Sequence, residues 1–329
     1  MLDFWFFRVV LTATMWFYLA VLLGLYFLRR WYRERQTVEN LREKYVFITG
    51  CDSGFGNKLA RQLDALGLRV LAACFTQEGA EELERLSSDR LKTTILDVSS
   101  KESVVAATEW VKGIVRSKGL WGLVNNAGIA SHAAPTEWLT KDDFAEVINV
   151  NLLGLIDVTL HMLPLVRAAR GRVVNVASVM GRVACFGGGY CPSKYGVEAF
   201  SDSLRRELLP FGVQVSIIEP GAFANPIVKL VEENLRATWN RIPSDIKEIY
   251  GQKYFDNYCK YFEDLTKGAS KDLYLVTDCM EHALTSRYPR TRYAAGWDAK
   301  LYYIPLSYMP TLVADYVLAG LAPRPAQAV

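Results

Sequence analysis

YVFITGCDSGFG (45–56) joins a short, almost wholly apolar run to a turn holding three glycines, Gly50, Gly54 and Gly56. Tyr, Val, Phe and Ile in one such run favour a buried strand. An amphipathic stretch begins at once, at 56–66, so the segment reads as strand, tight turn and helix. Glycine lets the backbone turn sharply and come close to a pyrophosphate, whose charge the free N–H groups of a helix start then stabilise. A glycine-rich turn alone is a weak signal and is often only a loop. Its place directly after a first strand raises it above that.

The same alternation runs outward along the chain. RVLAAC (69–74), TTILDV (93–98), GLVNNAG (122–128), RVVNVAS (172–178) and QVSIIEPG (214–221) read as further strands. Helical patterns separate them at 79–86, 101–117, 141–168 and 190–211. Such alternation predicts an α/β protein, a Rossmann-type doubly wound parallel sheet with helices on both faces. Ligands of these sheets sit at the carboxyl ends of the strands. The chemically suggestive residues all fall there.

The 329 residues carry a net charge of only +3, with Lys and Arg spread along the chain, which argues against nucleic acid as a partner. Cys51, Cys74, Cys185, Cys191, Cys259 and Cys279 are scattered, and His132, His161 and His282 stand alone. Neither set has the spacing of a disulfide framework or a metal site, so buried thiols and no metal are expected.

Residues 9–28 contain no charge, and twenty helical residues rise about 30 Å, enough to cross a bilayer core. Arg29, Arg30, Arg33 and Arg35 follow, with Trp16, Tyr18, Trp31 and Tyr32 as interfacial anchors. A cleavable signal would be shorter and would carry its positive charge ahead of the apolar run. The division expected is therefore a membrane anchor (1–30), a basic linker (31–43), a catalytic domain (44–300) and an apolar membrane-associated tail (301–329). The positive-inside rule puts the domain on the cytosolic side. Pro305, Pro310 and Asp315 interrupt the tail, which favours a packed or interface-lying segment over a second span.

At the end of the second strand an acidic residue would signal NAD and a basic one NADP. Cys74, Phe75 and Thr76 stand there instead, and the lack of a nearby Arg leans toward NAD. Asp97 and Val98, closing the third strand, are placed to bound an adenine pocket; a helix-capping role is the plain reading of that Asp. NNAG (125–128) ends the fourth strand, where Asn side chains can tie strand ends together while Ala127 and Gly128 leave room for a ribose.

GGGYCPSK (187–194) sets Tyr190 and Lys194 four residues apart, on one face of a helix. A free phenol, with a pKa of about 10, is a poor base at neutral pH. An ammonium nearby and the charge of an oxidised nicotinamide both favour the phenolate, and a base works best with its pKa near the working pH. Ser178, at the end of the fifth strand, can hydrogen-bond the reacting oxygen. A Tyr–Lys pair alone is common on exposed helices. Joined by the glycine turn, NNAG and Ser178, all at strand ends of one sheet, it is not.

Together these motifs resemble the short-chain dehydrogenase/reductase superfamily over about 44–300: TGxxxGxG closing on Gly50-Cys51-Asp52-Ser53-Gly54-Phe55-Gly56, NNAG, Ser178 and Tyr190-x-x-x-Lys194. The resemblance implies that Tyr190 is the acid/base, that Lys194 lowers its pKa and holds the nicotinamide ribose, and that Ser178 orients the substrate hydroxyl. It further implies that Asn151 supports a proton relay and that Pro220-Gly221 approaches the nicotinamide. TGCDSGFGN, GLWGLVNNAG, CMEHALTS and PRTRYAAGWDAK look like the microsomal retinol dehydrogenase and 17β-hydroxysteroid dehydrogenase type 6 group. That group implies NAD-dependent oxidation of retinol and of 3α- or 17β-hydroxysteroids at the endoplasmic reticulum, with NADP left open. Two features depart from it. Members begin near Met15, which makes 1–14 an extension, and after Gly221 this chain has Ala222 and Asn225 where the group carries an aromatic and then a Thr.

Residues 222–275 form an aromatic-rich insertion, with Phe223, Trp239, Tyr250, Tyr254, Phe255, Tyr258, Tyr261 and Phe262. Helical spacing folds it over the strand ends as a substrate lid, most of its rings packing on the body and Phe223 facing substrate. Such a lid beside a membrane anchor suits a lipophilic alcohol, retinoid or steroid. The competing expectations are an NADPH-dependent carbonyl reductase and a membrane-tethered lipid-binding protein without chemistry. Self-association is left open.

Overall fold

The computed structural model describes residues 2–224, 226–319 and 323–328, with side chains from residue 14 onward except at 226–230 and 232. Seven strands, all parallel, form one sheet in the order β3-β2-β1-β4-β5-β6-β7. They are β1 (Tyr45–Thr49), β2 (Arg69–Cys74), β3 (Leu91–Ile95), β4 (Gly122–Asn125), β5 (Arg172–Val176), β6 (Gln214–Pro220) and β7 (Arg292–Ala295). The order reverses between β1 and β4, and that switch point opens a crevice at the carboxyl edge.

Side-chain alternation along β1 shows how both faces are covered. Val46 and Ile48 enter a core with Leu59 and Leu63 of α2 (Gly54–Ala65) and with Val276, Met280 and Leu284 of α11 (Tyr274–Thr285). Phe47 enters the opposite core, shared with Val104 and Val111 of α4 (Lys101–Val115), Met162 and Val166 of α6 (Leu155–Ala168) and Leu204 of α7 (Tyr190–Leu208). The short α3 (Gln77–Arg85), capped by the Thr76 hydroxyl accepting from the Gly79 N–H, packs beside β3 at the sheet edge.

Three expectations are corrected. The third strand ends at Ile95, because the Asp97 N–H turns to the Ser103 hydroxyl (3.0 Å) and Asp97 caps Ser99; Asp97 and Val98 therefore follow the strand. The single helix expected over 141–168 is α5 (Lys141–Ile148) and α6 joined by a π turn at Asn149–Gly154. There Gly154 passes so close to Val98 that a Cβ would lie 2.7 Å from the Val98 carbonyl oxygen. RYAA (292–295) adds a seventh strand that the alternation did not suggest. Lys141–Ala168 has the length and hydropathy of a membrane span, yet it packs on α4 and β4 within the domain.

The long α1 (Leu2–Glu34) leaves Met15 to Leu28 largely bare, with Trp16, Leu22 and Leu28 each 60–65% exposed. Its end is bolted to the body. The His282 Nε2 donates to the Glu34 carbonyl (2.9 Å), and burial keeps that imidazole below its ordinary pKa, so its Nδ1 accepts from the Tyr293 hydroxyl (2.8 Å). The Val38 N–H reaches the Thr285 carbonyl (2.8 Å) and the Arg287 N–H that of Gln36 (2.7 Å).

Between β6 and α11 lie α8 (Pro226–Arg241), α9 (Ser244–Tyr250) and α10 (Gln252–Lys267). They close over Trp138, 2% exposed, whose ring meets those of Trp239, Tyr250, Tyr254, Phe255 and Tyr258 at centroid distances of 4.9–6.4 Å. A bridge between Phe223 and Ser270 ties the base of this layer. Past β7 a π turn (Ala299–Tyr303) runs into α12 (Ile304–Leu306), and α13 (Thr311–Ala319) ends the described helices with Leu312 and Tyr316 bare. Trp138→Ala should cost this three-helix layer about 3–5 kcal/mol of local stability. Limited proteolysis should then cut within 226–267 first while the sheet domain stays intact; simultaneous loss of both would show that Trp138 is not a lid-specific support.

Candidate active site

At the switch point Gly50 has φ +69°, and a Cβ there would lie 2.8 Å from the Ala127 Cα. At the start of α2 a Cβ on Gly56 would lie 2.2 Å from the Gly50 carbonyl oxygen. Turn and helix are pressed together as far as glycine allows, which leaves the N–H groups of the helix start open to a ligand. Asn126 stitches the neighbouring strand ends, its Nδ2 donating to the carbonyls of Thr49 (2.9 Å) and Gly50 (3.0 Å). The Thr49 hydroxyl accepts from the Asn126 and Ala127 N–H groups, each at 3.0 Å.

A cleft of about 580 Å³ follows this edge, bordered by Gly50, Asp52, Ser53, Phe55, Asp97, Val98, Ala127 and Gly128 as the sequence suggested. Phe75, Thr76 and Asn126 border it too. Asp52 supplies the acid missing from the end of β2. Its carboxylate accepts from the Phe75 N–H (2.8 Å), the Thr76 N–H (2.8 Å) and the Thr76 hydroxyl (2.9 Å). No Lys or Arg borders this cleft among the described residues. Two suggested residues stand back from it. Cys74 is wholly buried in the core, where burial pushes its thiol up to about 12. Asn125, also buried, ties Thr159 (2.9 Å) and Asn175 (2.8 Å) together under the strand ends. Gly54, with φ +61°, belongs to the turn itself.

Farther along the edge, Ser178 leaves β5, Tyr190 opens α7 and Lys194 follows one turn later. Lys194 is 5% exposed, its Nζ donating to the Val176 carbonyl (2.9 Å) and standing 5.7 Å from the Tyr190 ring centroid. Burial alone brings its ammonium down to about 8. Burial also pushes the Tyr190 phenol above its ordinary range, opposed by a hydrogen bond with the Ser178 side chain. The chain by itself thus favours the neutral phenol, and a further positive charge beside it is needed to stabilise the phenolate.

Asn151, fully buried in the π turn, accepts from the Ile129 N–H (2.7 Å) and donates to the Ile129 carbonyl (2.8 Å) and the Ser193 hydroxyl (3.1 Å). It clamps the strand-end loop against α7. A Cβ on Gly128 would lie 3.1 Å from the Asn151 Oδ1 and 3.6 Å from the Lys194 Nζ, so this narrow cradle is kept clear of side chains. The strand-end edge from the glycine turn to Lys194 is thus kept clear of side chains.

A smaller cavity of about 140 Å³ adjoins Ser178 and Tyr190. Phe223, expected to face substrate, lines it, as do Gly221, Phe186, Phe262, Tyr303 and Met180. Phe186 stacks 6.0 Å from Tyr190, and Phe223 meets the Phe55 ring of the larger cleft at 5.6 Å. Pro220 ends β6; the Gly221 N–H then reaches the Ala295 carbonyl (2.9 Å) and the Ala222 N–H the Asp298 carboxylate (2.7 Å). Asp298 thereby holds the Pro220-Gly221 turn, a role its sequence position did not suggest. Phe186, Phe262 and Tyr303 had no sign separating them from neighbouring aromatics. Asn225 lies outside the described residues.

The chain matches the short chain dehydrogenase family over residues 44–236. It is similar to retinol dehydrogenase 7 of Rattus norvegicus, 61% identical over 96% of this chain and 100% of that protein. Human 17-beta-hydroxysteroid dehydrogenase type 6 is 60% identical over the same shares. A short-chain dehydrogenase from Streptomyces avermitilis superposes with a TM-score of 0.66 at 25% identity, covering 84% of this chain and 95% of the other. The glycine turn, the stitched strand ends and the Ser178–Tyr190–Lys194 group thus sit in a chain that belongs to the short-chain dehydrogenase family.

Proposed function

We propose that this short-chain alcohol dehydrogenase uses NAD to oxidise a lipophilic alcohol, all-trans-retinol to retinal or a 3α- or 17β-hydroxysteroid to its ketone. One observation carries the reading: Ser178 and Tyr190 face a pocket walled by Phe186, Phe223 and Phe262, next to a dinucleotide-shaped cleft. A polar sugar or hydroxy acid would leave its hydroxyls unpaired there. The names of relatives about 60% identical point to the same substrates.

A short-chain dehydrogenase takes a nicotinamide dinucleotide, which when oxidised accepts hydride and brings a positive charge. Gly50, Ser53 and Phe55 would hold its pyrophosphate side, Asp97 and Val98 its adenine, Asn126, Ala127 and Gly128 its ribose, and Pro220-Gly221 its carboxamide end. Ser178 donates to the alcohol oxygen and fixes its direction. Tyr190, with Lys194 one turn away, takes the alcohol proton as its carbon loses hydride. Asn151 keeps Lys194 and the strand-end loop in register for proton transfer outward. Asp52 favours NAD, since a 2′-phosphate near the end of β2 would meet its carboxylate with no guanidinium or ammonium bordering the cleft. The bare apolar helix α1 suits an anchor in the endoplasmic reticulum membrane with the domain on the cytosolic side, the exposed α13 lying at the interface.

Purified full-length protein should oxidise all-trans-retinol or androstanediol with NAD; turnover confined to small water-soluble alcohols would sink the substrate reading. NAD should exceed NADP in catalytic efficiency, and Asp52→Asn should narrow that preference about tenfold, ~1.4 kcal/mol. An unchanged ratio removes Asp52 from cofactor choice. Tyr190→Phe should lower kcat at least about a hundredfold while the protein still binds dinucleotide. The oxidation rate should climb with pH as the phenol loses its proton, and Lys194→Met should move that limb to higher pH, because a lost neighbouring ammonium disfavours phenolate.

A further inference from the structure

Where α1 meets the body, Arg29, Arg30 and Arg33 converge with Arg290, from the loop before β7, around a cavity of about 360 Å³ completed by Tyr26, Glu34 and Tyr288. Among the described residues lining it, Glu34 is the one carboxylate against four guanidinium groups. It accepts from the Arg30 Nε (2.8 Å) and from the Arg290 Nε (2.7 Å) and the second terminal nitrogen of Arg290, which together hold it near a pKa of about 2. The carboxylate therefore stays ionised and sets the direction of two arginines without neutralising the group. Arg33 lies flat on the Tyr288 ring, 4.1 Å from its centroid.

Membrane topology explains arginines that follow an apolar helix. It does not explain why a fourth arginine, some 250 residues later, is brought to them across a walled cavity. Nor does fold stability, since one carboxylate among four cations leaves an excess of like charge held together. Guanidinium groups arranged in this way match the oxygens of a phosphate. The cavity opens at the end of the bare apolar stretch Met15 to Leu28, the depth at which lipid headgroups lie once that stretch is in a bilayer.

We infer that the Arg29–Arg30–Arg33–Arg290 cavity binds the phosphate of an anionic phospholipid headgroup, a second ligand site apart from the catalytic cleft. The site fixes the domain on the membrane surface, because the lipid would bridge anchor and body at the junction that His282 and Glu34 already fasten. It is independent of which alcohol is oxidised.

Full-length protein in mild detergent, titrated with phosphatidylserine or phosphatidylcholine and followed by native mass spectrometry, tests this directly. Phosphatidylserine should be retained in preference to phosphatidylcholine. Arg33→Gln and Arg290→Gln should each weaken that retention about tenfold. Arg35→Gln removes the same charge from a residue stacked on Trp31 outside the cavity, and should leave retention unchanged. Should Arg290→Gln loosen the junction, Arg29→Gln, which leaves Glu34 bridging Arg30 and Arg290, should show the same weakening. Equal retention of the two lipids, or equal weakening by Arg35→Gln, would overturn the site. Complete displacement of phosphatidylserine by inorganic phosphate would overturn the lipid assignment and leave a site for free phosphate.

Discussion

A buried ammonium with no carboxylate paired to it among the described residues organises this structure. Among the described residues the Lys194 Nζ donates to the Val176 carbonyl at the tip of β5, and burial lowers its pKa to about 8. An ion pair would stabilise that charge more; here the ammonium stands 5.7 Å from the Tyr190 ring centroid instead. The fold bears the cost through rigid surroundings. The lysine is held by a helix pinned to a strand end, beside a cradle that Gly128 keeps clear and a loop that Asn151 keeps in register.

The pinning of α7 is itself electrostatic. Glu198, one turn beyond Lys194, faces Arg292 of β7 (2.9 Å), which also reaches Asp202 (3.0 Å). Arg182, four residues past Ser178, pairs with Glu219 (2.9 Å) just before Pro220. Burial and the Glu219 charge push the Glu198 carboxyl upward, and Arg292 and Arg182 oppose that rise. Removing one partner of such a group costs several kcal/mol because a buried charge is left uncompensated. Ser178, Tyr190 and the Pro220-Gly221 turn hang on this one cluster, which fixes their spacing while remaining outside the pocket.

Around that rigid centre the chain has two less regular borders. The lid shares a single aromatic core about Trp138 and is tied at its base by the Phe223–Ser270 bridge. The anchor leaves its apolar surface bare and meets the body through backbone hydrogen bonds and arginines. Both borders lie outside the sheet and its two cores.

Much of this was legible in the residues. Strand–helix alternation gave the doubly wound sheet, because buried parallel strands must be apolar throughout and their covering helices amphipathic. The glycine turn, NNAG, Ser178 and the Tyr190–Lys194 pair were legible because each is a local requirement, a close backbone approach or two side chains on one helical face. The long N-terminal helix was legible from its unbroken apolar run. What the chain order concealed was every contact made across the fold. Asp52 serves the end of β2 from the preceding loop, Asp298 holds a turn 76 residues away, and Arg290 joins arginines at the opposite end of the sequence. Neither β7 nor the π turn announces itself, since a four-residue edge strand and one extra residue per turn leave no periodic trace. Pattern reports which face of an element is buried; only the packed sheet decides which distant groups that burial brings together.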